Sequence, residues 1–142
     1  MASKLGNIVF YANDPVKLAE FWAAVIGVEP ARFEGDLKEH LLASGLTEED
    51  LNKRALVEDP SGEFPRLFFH HAIGPKRSRN RMHLDIQATP GEPTTPEALE
   101  AEKDRLVALG AEVVRLIDQS WGPWPEHYYQ MRDPEGNEFC LQ

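Results

Sequence analysis

A carboxylate inside a short apolar run is the residue of this sequence that most needs a chemical explanation. Glu138 lies in Asn137-Glu-Phe-Cys-Leu141, directly after the turn Asp133-Pro-Glu-Gly136. In that turn Pro134 presets φ and Gly136 accepts φ > 0. Side chains alternate along a strand, so Asn137, Phe139 and Leu141 share one face, and Glu138 and Cys140 the other. Glu138 is therefore either solvated or aimed at a group that wants negative charge. The segment Met82-His-Leu-Asp-Ile-Gln87 alternates in the same way and sets His83, Asp85 and Gln87 on one face. Imidazole and carboxylate suit first-row divalent metals and also acid–base work, and equally they make an ordinary hydrogen-bonded pair on a pocket wall. In Arg66-Leu-Phe-Phe-His-His71, His70 shares a face with Arg66 and Phe68, and His71 with Leu67 and Phe69. Either face could be the one turned to a ligand. Cys140 reads as a small buried hydrophobe.

Two further stretches bear on binding. Trp121 and Trp124 sit beside Pro123 and Pro125 in a segment without periodicity, read as a loop over residues 118–126. Rigid aromatics there would cover a hydrophobic ligand, cap a sheet or form a dimer contact. The run Lys76-Arg-Ser-Arg-Asn-Arg81 is a solvated basic loop that could also help an anionic substrate approach an acidic protein.

These residues need elements to position them. Residues 5–12 are apolar and rich in β-formers, a strand that ends at Asn13-Asp-Pro15. Asp14 is placed to cap a helix and Pro15 to open it; Leu18, Phe21, Trp22, Val25 and Ile26 then form one apolar face up to Gly27. Residues 28–33 are expected as a short strand, limited to an edge by Pro30, and residues 35–53 as partly helical with a start at Thr47. Strands over 54–58 and 64–72 flank the turn Asp59-Pro-Ser-Gly62. After the basic loop the pattern resumes: a strand over 82–87, a helix from the cap Thr95 and Pro96 to Gly110, and strands over 111–117, 127–132 and the closing run.

Composition narrows the class. The chain has 142 residues, 42% hydrophobic and 27% charged, and fits one soluble domain. A net charge of −9 argues against nucleic acid and against anionic membrane surfaces, where Lys and Arg supply the affinity. A single cysteine cannot form an internal disulfide, no apolar run nears the ~20 residues of a membrane span, and the first residues lack a signal-peptide pattern. A cytoplasmic location is expected.

The two halves repeat one plan of strand, helix, strand, strand, strand. Ile26-Gly-Val-Glu-Pro-Ala-Arg-Phe33 parallels Leu109-Gly-Ala-Glu-Val-Val-Arg-Leu116, and Asp59-Pro-Ser-Gly62 parallels Asp133-Pro-Glu-Gly136. With the opening 5–27 pattern and Asn80-Arg-Met-His-Leu-Asp85, this resembles the vicinal oxygen chelate superfamily of glyoxalases, bleomycin-resistance proteins and dioxygenases, in its glyoxalase-like branch. The resemblance spans nearly all of residues 1–142. It implies an α+β fold of two tandem βαβββ modules, about 1–73 and 81–142, forming an incomplete mixed β-barrel around a cleft. It also implies a metal-assisted lyase, isomerase or dioxygenase acting on adjacent oxygens, or a metal-free small-molecule binding protein of the bleomycin-resistance type.

Carried over residue by residue, the metal ligands fall on His83 and Glu138, with Glu138 also as the catalytic carboxylate, and a first-module histidine, His70 or else His71, would join them if it faces the cleft. The ion would be divalent zinc, nickel, iron or manganese. The superfamily's first-module histidine is replaced by Asn7, an amide that is a weak ligand for such metals. Asn7, His71, Trp121 and Trp124 are then expected to contact the ligand, and the chain to form a homodimer.

Overall fold

A computed structural model describes residues 2–142. Its elements are β1 (Asn7–Ala12), α1 (Pro15–Ile26), α2 (Gly35–Ala43), α3 (Glu48–Leu51), β2 (Arg54–Val57), β3 (Arg66–His71), β4 (Leu84–Ile86), α4 (Pro96–Ala108), β5 (Glu112–Trp121), β6 (Trp124–Arg132) and β7 (Glu138–Leu141). Two compact units divide at Pro75/Lys76, inside the basic loop. The fold is mixed α+β with a three-stranded and a four-stranded sheet, and neither sheet closes into a barrel among the described residues.

In the first unit the strands run in the order β1-β3-β2, with β1 parallel and β2 antiparallel to β3. The helix α1 starts where its cap chemistry dictates: the Asp14 carboxylate accepts from the Lys17 amide at 3.1 Å, and Pro15 occupies the first turn. It ends at Gly27, whose φ of 76° only glycine adopts without strain. The apolar stripe of α1 buries Leu18, Phe21, Trp22 and Val25. Phe10 contacts both Trp22 and Phe69, at ring-centroid distances of 5.4 and 5.2 Å, and Leu67, Phe69, Ala55 and Val57 complete this core.

The strand expected over residues 28–33 does not form. Val28 spends its amide on the Ala23 carbonyl at the end of α1, and Pro30 has no amide to give. One bond, Ala31 N–H to Leu56 C=O at 3.3 Å, ties the segment to β2. Thr47 opens α3 with a reciprocal capping box to Asp50, as its position suggests.

The second unit keeps all four strands, in the order β4-β7-β6-β5. Thr95 caps α4 through the Ala98 amide, and Leu99 and Leu106 bury its inner side. The segment 118–126 is not a loop. Its residues extend β5 and β6 into a hairpin that pairs Trp121 with Trp124 across Gly122-Pro123. Gly122, at φ 58°, permits this two-residue connection. Pro125 is tolerated because β7 pairs with β6 only from Tyr129 onward, so only β5 flanks that part of the strand. The strand expected over 82–87 shortens to β4, leaving His83 just ahead of the ladder.

The repeated turns are built alike. In each, the glycine amide bonds the aspartate carbonyl, Gly62 to Asp59 at 3.0 Å and Gly136 to Asp133 at 2.9 Å. In each, the aspartate carboxylate caps the amides that follow. Asp59 accepts from the amides of Ser61 and Phe64, and Asp133 from those of Glu135 and Asn137.

Candidate functional site

The open face of the second unit's sheet carries the candidate site. The strand β7 is hydrogen-bonded to β4 on one side and β6 on the other, with Asp85 and Gln130 both registered opposite Cys140. Phe139 and Leu141 are buried on the opposite side, so Glu138 and Cys140 face outward as the alternation demands. His83, Glu138 and Cys140 line a cavity of about 650 Å³, with Gln130 and Arg132 of β6 and the basic loop from Lys76 to Arg79 also in its wall.

Three donor atoms converge around two of these residues, His83 and Cys140. The His83 imidazole, the Asp85 carboxylate and the Cys140 thiol each offer one ligand atom, all within 4.8 Å of one another. His83 Nε2 and Asp85 Oδ1 are 3.1 Å apart. Burial, helped by the negative charge of Asp85, pushes the Cys140 thiol up in pKa, while Arg79 opposes the shift. The thiol is therefore protonated at neutral pH and is no nucleophile by itself.

The donor set suits a divalent ion. Zinc–ligand distances of about 2.0–2.3 Å put tetrahedral donors within roughly 4 Å of each other, so a closure of the order of 1 Å would complete the triad. The half-exposed side chains of His83 and Asp85 can supply that movement. A sulfur and an imidazole together favour zinc over manganese.

Glu138 stands apart from this triad. Burial raises its pKa, but the Asn80 amide, at 3.0 Å, and the Lys76 ammonium, at 2.9 Å, outweigh that and hold the carboxyl below its usual range. Lys76 also donates to the Ser78 carbonyl, which folds the basic loop down onto the strand. The sequence pattern pointed to His83 and Glu138 together. Both line the cavity, yet the donors that gather round His83 are Asp85 and Cys140. Asp85 was legible from its alternation with His83. The place of Cys140 was legible only once the first and last strands of the unit are known to pair.

The remaining candidates divide between the units. In the first, Asn7, Val9 and Tyr11 of β1 and Arg66, Phe68 and His70 of β3 lie on the sheet face away from α1. His70 is half-buried there between Phe68 and Tyr11, at ring-centroid distances of 4.8 and 6.2 Å. His71 belongs to the face of Leu67 and Phe69 but emerges into solvent at the strand end. In the second unit, Trp121 and Trp124 stack at 5.4 Å with 13° between their planes, and remain 67% and 60% exposed at the hairpin tip.

The comparisons with known proteins agree with this architecture. A family model described as a glyoxalase-like domain matches residues 7–142. No protein of curated function matches in sequence. Among solved structures, the fosfomycin resistance protein FosX of Listeria monocytogenes, in complex with Mn(II) and 1S,2S-dihydroxypropylphosphonic acid, is 18% identical; the match covers 100% of this chain and 93% of that one, with a TM-score of 0.64. A glyoxalase/bleomycin resistance protein/dioxygenase family enzyme from Burkholderia phytofirmans is 16% identical over 98% and 97% of the two chains, with a TM-score of 0.59. A lactoylglutathione lyase from Agrobacterium tumefaciens is 15% identical over 99% and 93%, at 0.55. At these identities the neighbours establish the fold, and the family model establishes kinship: the chain belongs to the glyoxalase-like domain family of the vicinal oxygen chelate superfamily.

Proposed function

We propose that the chain is a glyoxalase-like enzyme that uses a divalent metal to act on a small molecule with adjacent oxygens, as a lyase, isomerase or dioxygenase. The observation that carries this reading is the convergence of His83, Asp85 and Cys140 within 4.8 Å of one another, with His83 and Cys140 in the cavity wall. These three side chains would hold the ion. A bound ion would supply Lewis acidity toward two vicinal substrate oxygens. The other residues act directly on the substrate. The Glu138 carboxylate, kept ionised, can take a proton from a substrate carbon or hydroxyl once Lys76 releases it. In the first unit, His70 and Asn7 on the open sheet face, and His71 at the strand end, are further ligand-contacting candidates.

A second reading, a metal-free small-molecule binding protein, is favoured by one specific feature. Glu138, the carboxylate expected to bind metal, is already satisfied by Lys76 and Asn80. In either case we take the protein to be a cytoplasmic homodimer; among the described residues no helix is long and apolar enough to cross a membrane.

Metal analysis of tag-free protein separates the two readings. We expect about one zinc or nickel per chain, reduced by at least tenfold in affinity in His83→Ala and Cys140→Ser. Protein that stays metal-free at saturating zinc, with an unchanged unfolding temperature, would sink the enzyme reading.

A further inference from the structure

The charge around the cavity is opposite in sign to the charge of the protein. The chain carries 15 Lys and Arg against 24 Asp and Glu. Yet Lys76, Arg77, Arg79, Arg115 and Arg132 all line this one cavity, opposed there only by Glu112 and Glu138. Two of the five cations are balanced: Lys76 by Glu138 at 2.9 Å, and Arg132 by Glu112 at 3.6 Å. Arg115 is held by a neutral amide, Gln130 Oε1, at 2.7 Å. Arg77 and Arg79 make no ion pair with any described carboxylate, although the chain has an excess of acids to offer. Arg77, Arg79 and Arg115 thus face a concave, partly apolar space with no ion-pair partner among the described carboxylates.

These side chains are exposed, so water screens their mutual repulsion, but gathered on one concave wall they still make a field that favours an anion. Like charges on one wall repel, and a low-dielectric wall focuses their field into the cavity. Guanidinium groups present planar paired donors that match the oxygens of a carboxylate or phosphoryl group. We infer that the cavity of the second unit binds a small organic oxyanion, whose carboxylate or phosphoryl group is received by Arg77 and Arg79 with Arg115 of the edge strand β5. The rest of the molecule then lies toward His83 and Glu138, so the anionic group would serve as the handle that orients the reacting end. Calling this molecule the substrate rests on the proposed function; the binding of the anion does not.

The test uses the full chain stripped of metal with chelator, so it reads the anion site alone. Calorimetric titrations with inorganic phosphate, methylphosphonate and glycolate are set against neutral propane-1,2-diol, at low salt and at roughly 0.3 M salt. Each anion is expected to bind about tenfold or more tightly than the diol, and to weaken as salt rises. Arg77→Gln/Arg79→Gln should lose about tenfold in anion affinity while leaving the diol unaffected, and its thermal unfolding should match wild type because both side chains are exposed. The ranking of phosphate and phosphonate against glycolate identifies which anionic group the site prefers. Equal binding of anion and diol, or anion binding that the double variant leaves intact, overturns the inference. Anion binding in a protein that never takes up metal would keep this inference and remove the enzyme reading instead.

Discussion

Replacing Asp133 by alanine should destabilise the protein several times more than the same change at its repeat partner Asp59. Both aspartates cap a D-P-x-G turn, but their surroundings differ. Asp133 is 3% exposed. Its Oδ1 accepts from the Glu135 and Asn137 amides at 2.9 Å each, and both its oxygens accept from Asn137 Nδ2. Removing it leaves two backbone donors in a half-buried turn without a partner, at about 1–1.5 kcal/mol each, and forfeits the charge-assisted bonds to Asn137. The loss should total roughly 2–4 kcal/mol, or about 7–14 °C in Tm for a chain of this size. Asp59 also bonds two amides and the Ser61 hydroxyl, but at an exposed turn where water replaces what is lost. Its removal should cost about 1 kcal/mol. Asp133→Asn is the control for charge: its Oδ1 can still accept from the two amides, so about half of the stability should return. Urea unfolding followed by tryptophan fluorescence measures all three. Equal losses at Asp59 and Asp133, or an Asp133→Ala variant within about 0.5 kcal/mol of wild type, would refute the assignment of energy to burial of the turn.

Two other outcomes follow from the same geometry. Lys76→Met keeps the bulk of a side chain that is 21% exposed and removes its ammonium from Glu138, so it should cost about 1–2 kcal/mol in urea unfolding; a loss below about 0.3 kcal/mol would mean that the pair is merely a surface contact. Trp121→Ala/Trp124→Ala should leave Tm within about 2 °C of wild type, because the exposed stack contributes little to folding. Light scattering on both proteins tells what the pair is for: wild type should run at twice 16.1 kDa, and a monomeric variant would place the pair in the dimer contact rather than over a ligand. A wild-type mass of 16.1 kDa would remove the homodimer proposal.

Local rules made much of this fold legible. Asp14, Thr47 and Thr95 each announce a helix start, and each caps the helix it announces. The matched turns at Asp59 and Asp133 disclosed the repeat because their chemistry lies within six residues. Where the sequence misled, a longer-range term prevailed. Residues 28–33 have the β-formers of an edge strand, but the helix end claims Val28 and Pro30 cannot donate. Pro123 and Pro125 look like loop residues, but a hairpin with only one neighbouring strand at that height accommodates both. The partner of Glu138 was beyond local reading altogether, since Lys76 lies 62 residues away in a loop with no periodicity.

The same distinction explains why the proposed metal donors differ from those the superfamily pattern implied. Parallel pairing of β4 with β7 sets two tiers of side chains on the open face: Asp85 beside Cys140 within the ladder, and His83 and Glu138 toward its edge. The ladder begins at Leu84, so His83 is not held in register opposite Glu138 and is free to turn toward Asp85. Glu138 is held instead by the basic loop. An ion therefore meets a choice between the inner tier, which offers a thiol and a carboxylate with no cation beside them but Arg79, and the outer carboxylate, which Lys76 already neutralises. Displacing Lys76 would forfeit a charge-assisted bond worth about 1.5–3 kcal/mol, whereas the inner tier costs only the thiol proton, which zinc removes readily at neutral pH. Glu138→Gln should consequently leave zinc affinity within about threefold of wild type, while Asp85→Asn should lower it by about tenfold or more. If the order is reversed, the outer tier holds the ion, Lys76 is a gate that the metal opens, and Cys140 is only a buried side chain.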